Sequence, residues 1–162
     1  DFSKAFDKVP HKRLSSKLSY YGITGHTLSW IEAFLSNRTQ SVSVNGSHSD
    51  PAPVTSGVPQ GSVLGPVLFL LYISNITDNI SSSMRLFADD SIIYCKILFP
   101  NDHTILQEDL KRLEEWSVTW QMDFNVQKCC HLPITKKQNL VTSSTTFSTN
   151  HYLKPLFIHI LE

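Results

Sequence analysis

Two adjacent aspartates, Asp89 and Asp90, separate the apolar runs Met84-Arg85-Leu86-Phe87-Ala88 and Ile92-Ile93-Tyr94-Cys95. Neighbouring carboxylates repel one another and favour neither strand nor core, so the pair marks a tight turn between two strands. A solvated Asx-type turn accounts for such a pair without any chemistry. Lifted on a hairpin tip, the same two groups could hold a hard divalent cation such as Mg²⁺, which prefers oxygen ligands. One further carboxylate from a neighbouring strand would complete a site for two metals ~4 Å apart, suited to in-line displacement at phosphorus. Spacing alone does not name that third acid.

The elements that would carry such a site can be read from periodicity. After Pro10, Leu14, Leu18 and Tyr21 recur at helical spacing until Gly22, and a second amphipathic run places Leu28, Ile31, Phe34 and Leu35 on one side. Thr39 to Val44 alternates, with Val42 and Val44 on one strand face, and Asn45-Gly46 is a hairpin turn. Asp50-Pro51-Ala52-Pro53 reads as a loop or edge, and the apolar run ending at Ile76 as a buried helix. Asp102 is the expected N-cap of the clearest helix, whose Leu106, Leu110, Leu113, Trp116 and Trp120 step by four and three. Beyond Pro133 the chain turns Ser/Thr-rich and loses its period. Interleaved helices and strands predict an α+β or α/β class.

Composition narrows the function classes. The chain has 162 residues, enough for one domain, with 41% apolar and 17% charged residues, which argues against disorder throughout. Fourteen basic and 14 acidic residues cancel, so a nucleic-acid partner must be argued from local charge. Lys8, Lys12, Arg13 and Lys17 contain two i,i+4 basic pairs that could follow a phosphate backbone, and a solvated helix face explains them equally well. Three cysteines, two of them adjacent, do not suit a disulfide scaffold or a zinc site. A reducing, intracellular setting is expected, and the apolar run Val67–Ile73 is too short to span a bilayer.

Four ordered segments carry a family resemblance. Asp1-Phe2-Ser3-Lys4-Ala5-Phe6-Asp7-Lys8-Val9-Pro10-His11 resembles the first palm motif of reverse transcriptases from non-LTR (LINE-type) retrotransposons. Ser56-Gly57-Val58-Pro59-Gln60-Gly61-Ser62-Val63-Leu64-Gly65-Pro66 resembles their second, Leu86 to Asp90 the double-aspartate third, and Trp120-Gln121-Met122 with Phe124-Asn125 and Lys128-Cys129 the fourth. Trp30-Ile31, Phe34 to Arg38 and Val44-Asn45-Gly46 match in order between them.

The resemblance implies an RNA-directed DNA polymerase with a palm-like antiparallel sheet and helices packed on one face. Asp1, Asp89 and Asp90 would be the metal ligands for two Mg²⁺ ions, with Mn²⁺ as a substitute. Phe6 would be the aromatic gate that excludes a 2′-hydroxyl, and Gln60, in a turn opened by Gly61, would touch the nucleotide and template base. Lys128 would be the general acid for pyrophosphate. Taken alone, Phe6 reads as core, Lys128 as a surface lysine and the Pro-Gln-Gly turn as scaffolding. The implied partners are an RNA template, a DNA primer and deoxynucleoside triphosphates, in the cytoplasm or nucleus with a retroelement ribonucleoprotein, and no membrane.

Some features depart from the family. Tyr72-Ile73-Ser74-Asn75 lacks an acid usual after the second motif. The expected domains are a partial palm over 1–134, without fingers, and a divergent tail over 135–162 with no recognisable thumb. The chain as given opens at Asp1, so fraying there and inactivity of these 162 residues alone are expected. The alternative is a non-catalytic nucleic-acid-binding or structural remnant of the same palm. A metal-dependent phosphoesterase on the same acids lacks an evident water-activating base.

Overall fold

The computed structural model describes residues 1–135 and 157–161. They fall into two units, one spanning Lys4–Ser74 and the other combining Asp1–Ser3 with Asn75–Glu162.

The Lys4–Ser74 unit begins with three helices, α1 (Ala5–Lys8), α2 (His11–Tyr20) and α3 (Gly25–Leu35). Pro10, extended at φ −73°, leads into α2, and Gly22 at φ +85° follows its end. Leu14 and Leu18 of α2 and Ile31 and Leu35 of α3 are buried, as their spacing predicts. Lys17 is buried too, which corrects its place in a solvated basic row. Its Nζ donates to the Tyr72 carbonyl oxygen and lies 5.2 Å from the centre of the Tyr72 ring. Such an ammonium tolerates burial because a carbonyl and an aromatic face replace its water.

Four two-residue strands follow: β1 (Thr39–Gln40), β2 (Ser43–Val44), β3 (Ser47–His48) and β4 (Ala52–Pro53). β1 pairs with β4 and β2 with β3, both antiparallel. The continuous strand expected over Thr39–Val44 is therefore broken, because its two ends have different partners. Val42 and Val44 are exposed. Asn45 at φ +50° and Gly46 at φ +80° make the β2–β3 turn, as their types predict. α4 (Leu64–Ile73) buries Leu68, Phe69, Tyr72 and Ile73, while Val67 and Leu70 remain about half exposed. Only one face of this helix is thus the buried helix expected.

The second unit contains β5 (Ser83–Phe87), β6 (Asp90–Lys96), α5 (Pro100–Trp120), a 3₁₀ turn at Val126–Lys128, β7 (His131–Thr135) and β8 (Phe157–Leu161). Its sheet order is β5-β6-β8-β7. β5 and β6 form an antiparallel hairpin, and β8 runs parallel to both β6 and β7. The α+β class expected is what the chain forms. The four-stranded sheet is mixed rather than wholly antiparallel, because α5 intervenes between β6 and β8 and supplies a crossover that parallel pairing needs. β8 lies in the tail for which the sequence suggests no element; residues 136–156 are outside those described.

α5 starts two residues before Asp102, with Pro100 in its first turn. Asp102 is therefore not the N-cap; its carboxylate reaches back to accept from the main-chain N–H of Leu98 and Phe99 at 2.7 and 2.8 Å. Leu106, Leu110 and Leu113 are buried, whereas Trp116 and Trp120 are only half-buried. Asp109 lies fully buried on the same side. It accepts from the N–H groups of Ser81 and Ser82 at 3.0 and 2.6 Å and from Arg112 at 2.7 Å. Asp109 thereby ties the approach to β5 onto the helix. Helix spacing is the signal for it: an acid at 109 interrupts an otherwise apolar stripe.

Candidate active site

Asp1 is positioned by its neighbours. Phe2 is 2% exposed, its ring stacks on Phe124 with centroids 5.0 Å apart, and it tilts against Trp116 at 6.0 Å. The main chains of Phe2 and Phe124 form an antiparallel bridge. Asn125 donates its N–H to the Asp1 carbonyl at 2.9 Å, and Ser3 donates to Asp123 at 2.8 Å. The apolar ring buried next to Asp1 is what fixes the acid.

The Asp1 side chain has two different oxygens. Oδ2 lies 2.7 Å from Lys128 Nζ, while Oδ1 is buried with no hydrogen-bond partner among the described residues. Lys128 ends the 3₁₀ turn, with its N–H on the Asn125 carbonyl, so one short segment holds the main chain of Asp1 and presents the lysine to its carboxylate. The lysine side chain is 64% exposed, so this ion pair contributes at most ~1 kcal/mol.

Asp89 and Asp90 sit where β5 turns into β6. Phe87 pairs with Asp90, leaving Ala88-Asp89 as a two-residue connection. Asp90 is thus the first residue of β6 and exposed, and Asp89 is half-buried in the turn. Ala88 takes φ +51°, a left-handed conformation that costs an L-residue ~1 kcal/mol. The chain reverses within two residues there, and a non-glycine residue carries the strain.

The structure thus brings Asp1 to Lys128 and sets Asp89 beside Asp90. Among the described residues, no group of three His, Cys, Asp or Glu side chains is placed to hold a metal ion. The donor chemistry nevertheless fits a hard divalent cation: every candidate ligand is a carboxylate, and Asp1 Oδ1 is a buried oxygen that lacks a donor.

Phe6, Gln60 and Gly61 belong to the Lys4–Ser74 unit. The half-buried ring of Phe6 stacks on Phe69 with centroids 4.7 Å apart. The loop of the second motif is laced onto α1 and the residues after it. Ser56 Oγ donates to the Asp7 carbonyl at 2.8 Å, Gly57 N–H to Val9 at 2.8 Å, and Val58 N–H to Phe6 at 2.7 Å. The Gly57 carbonyl lies 2.7 Å from His11 Nε2. A Cβ on Gly57, at φ +89°, would stand 2.7 Å from the carbonyl oxygens of both Phe6 and Asp7. Gly57 is therefore the residue that lets this loop close on α1. Gln60 is exposed, and Gly61 takes φ +78° with open space around it.

The model of a family described as reverse transcriptase (RNA-dependent DNA polymerase) matches residues 1–147. The chain belongs to that family. The match runs past residue 134, into the stretch expected to diverge. The chain is 32% identical over 143 residues to the RNA-directed DNA polymerase from mobile element jockey of Drosophila melanogaster, covering 82% of this chain and 15% of that protein. It is 32% identical over 143 residues to the probable RNA-directed DNA polymerase from transposon BS of the same fly, covering 79% and 15%. To the probable RNA-directed DNA polymerase from transposon X-element it is 29% identical over 150 residues, covering 85% and 16%. These relatives are non-LTR retrotransposon polymerases. The chain spans about 15% of the length of the relatives it matches. No helix among the described residues is long and apolar enough to cross a membrane.

Proposed function

We propose that this chain is the palm portion of an RNA-directed DNA polymerase, which extends a DNA primer along an RNA template from deoxynucleoside triphosphates. The observation that carries the reading is Asp1. Its main chain is pinned, one carboxylate oxygen meets Lys128, and the other is buried without a donor among the described residues, in a chain of the reverse transcriptase family.

Asp1, Asp89 and Asp90 are the proposed holders of two Mg²⁺ ions, with Mn²⁺ able to serve. Bound there, the ions would neutralise triphosphate charge and lower the pKa of the primer hydroxyl. Lys128 Nζ lies beside Asp1, and we assign it the proton that passes to the departing pyrophosphate. Phe6, stiffened by its stack on Phe69, presents a rigid ring that discriminates against a 2′-hydroxyl. Gln60, exposed at the end of the laced loop, contacts the nucleotide and template, with Gly61 allowing close approach of the backbone. Three free cysteines agree with a proposed intracellular setting, alongside a retroelement ribonucleoprotein.

The test replaces the matched stretch of the jockey polymerase with residues 1–147 of this chain. With an RNA template, a DNA primer and Mg²⁺, the graft should give template-dependent extension, and the 162 residues alone should give none. A graft that folds and binds RNA but extends no primer would instead favour a non-catalytic remnant of the palm.

A further inference from the structure

The basic row on α2 is interrupted by the burial of Lys17, but two other cations face a common cavity. In the Lys4–Ser74 unit a cavity of about 450 Å³ is lined by Lys4, Asp7, Arg38, Gln40, Ser56 and Gln60, among others. Its walls are fixed on both sides. Val54 N–H donates to the Arg38 carbonyl at 2.8 Å beside the β1–β4 pair, and Ser56 Oγ and Val58 N–H fasten the far side to Asp7 and Phe6.

Three features say what would enter. Lys4 and Arg38 have no ion-pair partner among the described residues, so two cations face one acid, Asp7. That charge balance suits one singly charged anion better than a triphosphate, whose several charges Asp7 would oppose. No aromatic side chain among the described residues lines the cavity, so none of them stacks a base there, while hydroxyl and amide groups supply neutral donors. Lys4 also takes φ +53°, a left-handed conformation for a non-glycine residue at the entrance to α1. Backbone strain of this kind clusters at active sites and ligand clamps.

We infer that Lys4 and Arg38 bind one backbone phosphate of a single nucleic-acid strand in this cavity, without reading its base. The inference rests on the proposed handling of nucleic acid but not on chemistry at Asp1.

The test is fluorescence anisotropy of a short labelled single-stranded RNA with the 162-residue chain over a KCl series, folding being checked by circular dichroism. The double variant Lys4→Gln/Arg38→Gln should bind all sequences more weakly. Its plot of log affinity against log salt should be shallower by about 0.7, the contribution of one strand phosphate no longer neutralised. Arg38→Lys should keep the wild-type slope, and so should Lys111→Gln, which removes an exposed lysine from α5. An unchanged slope in the folded double variant overturns the inference, as does absence of RNA binding by the folded wild-type chain. Inorganic tripolyphosphate that displaces RNA from wild type but not from the double variant would assign the cavity to free nucleotide phosphates, and so overturn the strand assignment. Normal RNA binding by a graft that extends no primer would count against the polymerase reading alone.

Discussion

Asp109 and Asp1 are both withdrawn from solvent, and their partners set them apart. Burial pushes the Asp109 carboxyl up, but donors from Ser82, Ser81 and Arg112 outweigh it and hold the group below the usual carboxylate range. The stability this contributes is complete above the unfolded-chain value of ~3.9 and is lost as pH falls through the lower folded value. Asp109→Ala should therefore destabilise the chain by about 3 kcal/mol in urea melts at neutral pH, with a smaller loss below about pH 4. An equal loss at both pH values would mean the effect is packing alone. Phe6 makes a second residue-scale prediction. In the jockey graft, Phe6→Ala should raise ribonucleotide incorporation relative to deoxynucleotide incorporation; an unmoved ratio would leave the ring as packing against Phe69. The charge on Lys17 was legible from the sequence and its burial was not, because its partner is a carbonyl 55 residues away.

The two turns that shape the candidate site act at the scale of elements. Ala88 occupies a left-handed position between β5 and β6, so Ala88→Gly should relieve strain and stabilise the fold by ~0.5–1 kcal/mol, read as a raised denaturation midpoint. Gly57→Ala should do the reverse, by at least ~2 kcal/mol, because a methyl group would meet two carbonyl oxygens at 2.7 Å in a backbone conformation that already disfavours it. Neutral melting behaviour in Gly57→Ala would show that the second-motif loop is not held against α1. Local chemistry made several elements readable. Asn45-Gly46 specified its turn, and the four-and-three spacing on α5 specified its buried side. Pairing partners were not readable: Thr39 to Val44 alternates like one strand, yet β4 claims one end and β3 the other. The start of α5 was misplaced because Asp102 offers the same side-chain chemistry at the third helical position as at an N-cap.

At the scale of the whole molecule, the candidate residues are distributed over two units. Asp1, Asp89, Asp90 and Lys128 lie in one, and Phe6, Gln60 and Gly61 in the other. Motif order along the chain identified the family, and the 1–147 match agrees with it. What motif order could not convey is the clamp on Asp1, which depends on Phe2 stacking against a ring 122 positions later. Nor could it convey the parallel addition of β8, a long-range pairing with no local signature. The central claim is that Asp1, Asp89 and Asp90 together serve as metal-holding acids in nucleotidyl transfer. Its most direct measurement is single-turnover primer extension by the jockey graft carrying Asp89→Asn, with Mg²⁺ and with Mn²⁺. The substitution removes a ligand charge at nearly constant shape, so extension should fall by ~1000-fold or more while RNA binding and the melting midpoint stay at the unsubstituted values. Extension at the unsubstituted rate by the folded Asp89→Asn graft would contradict the account.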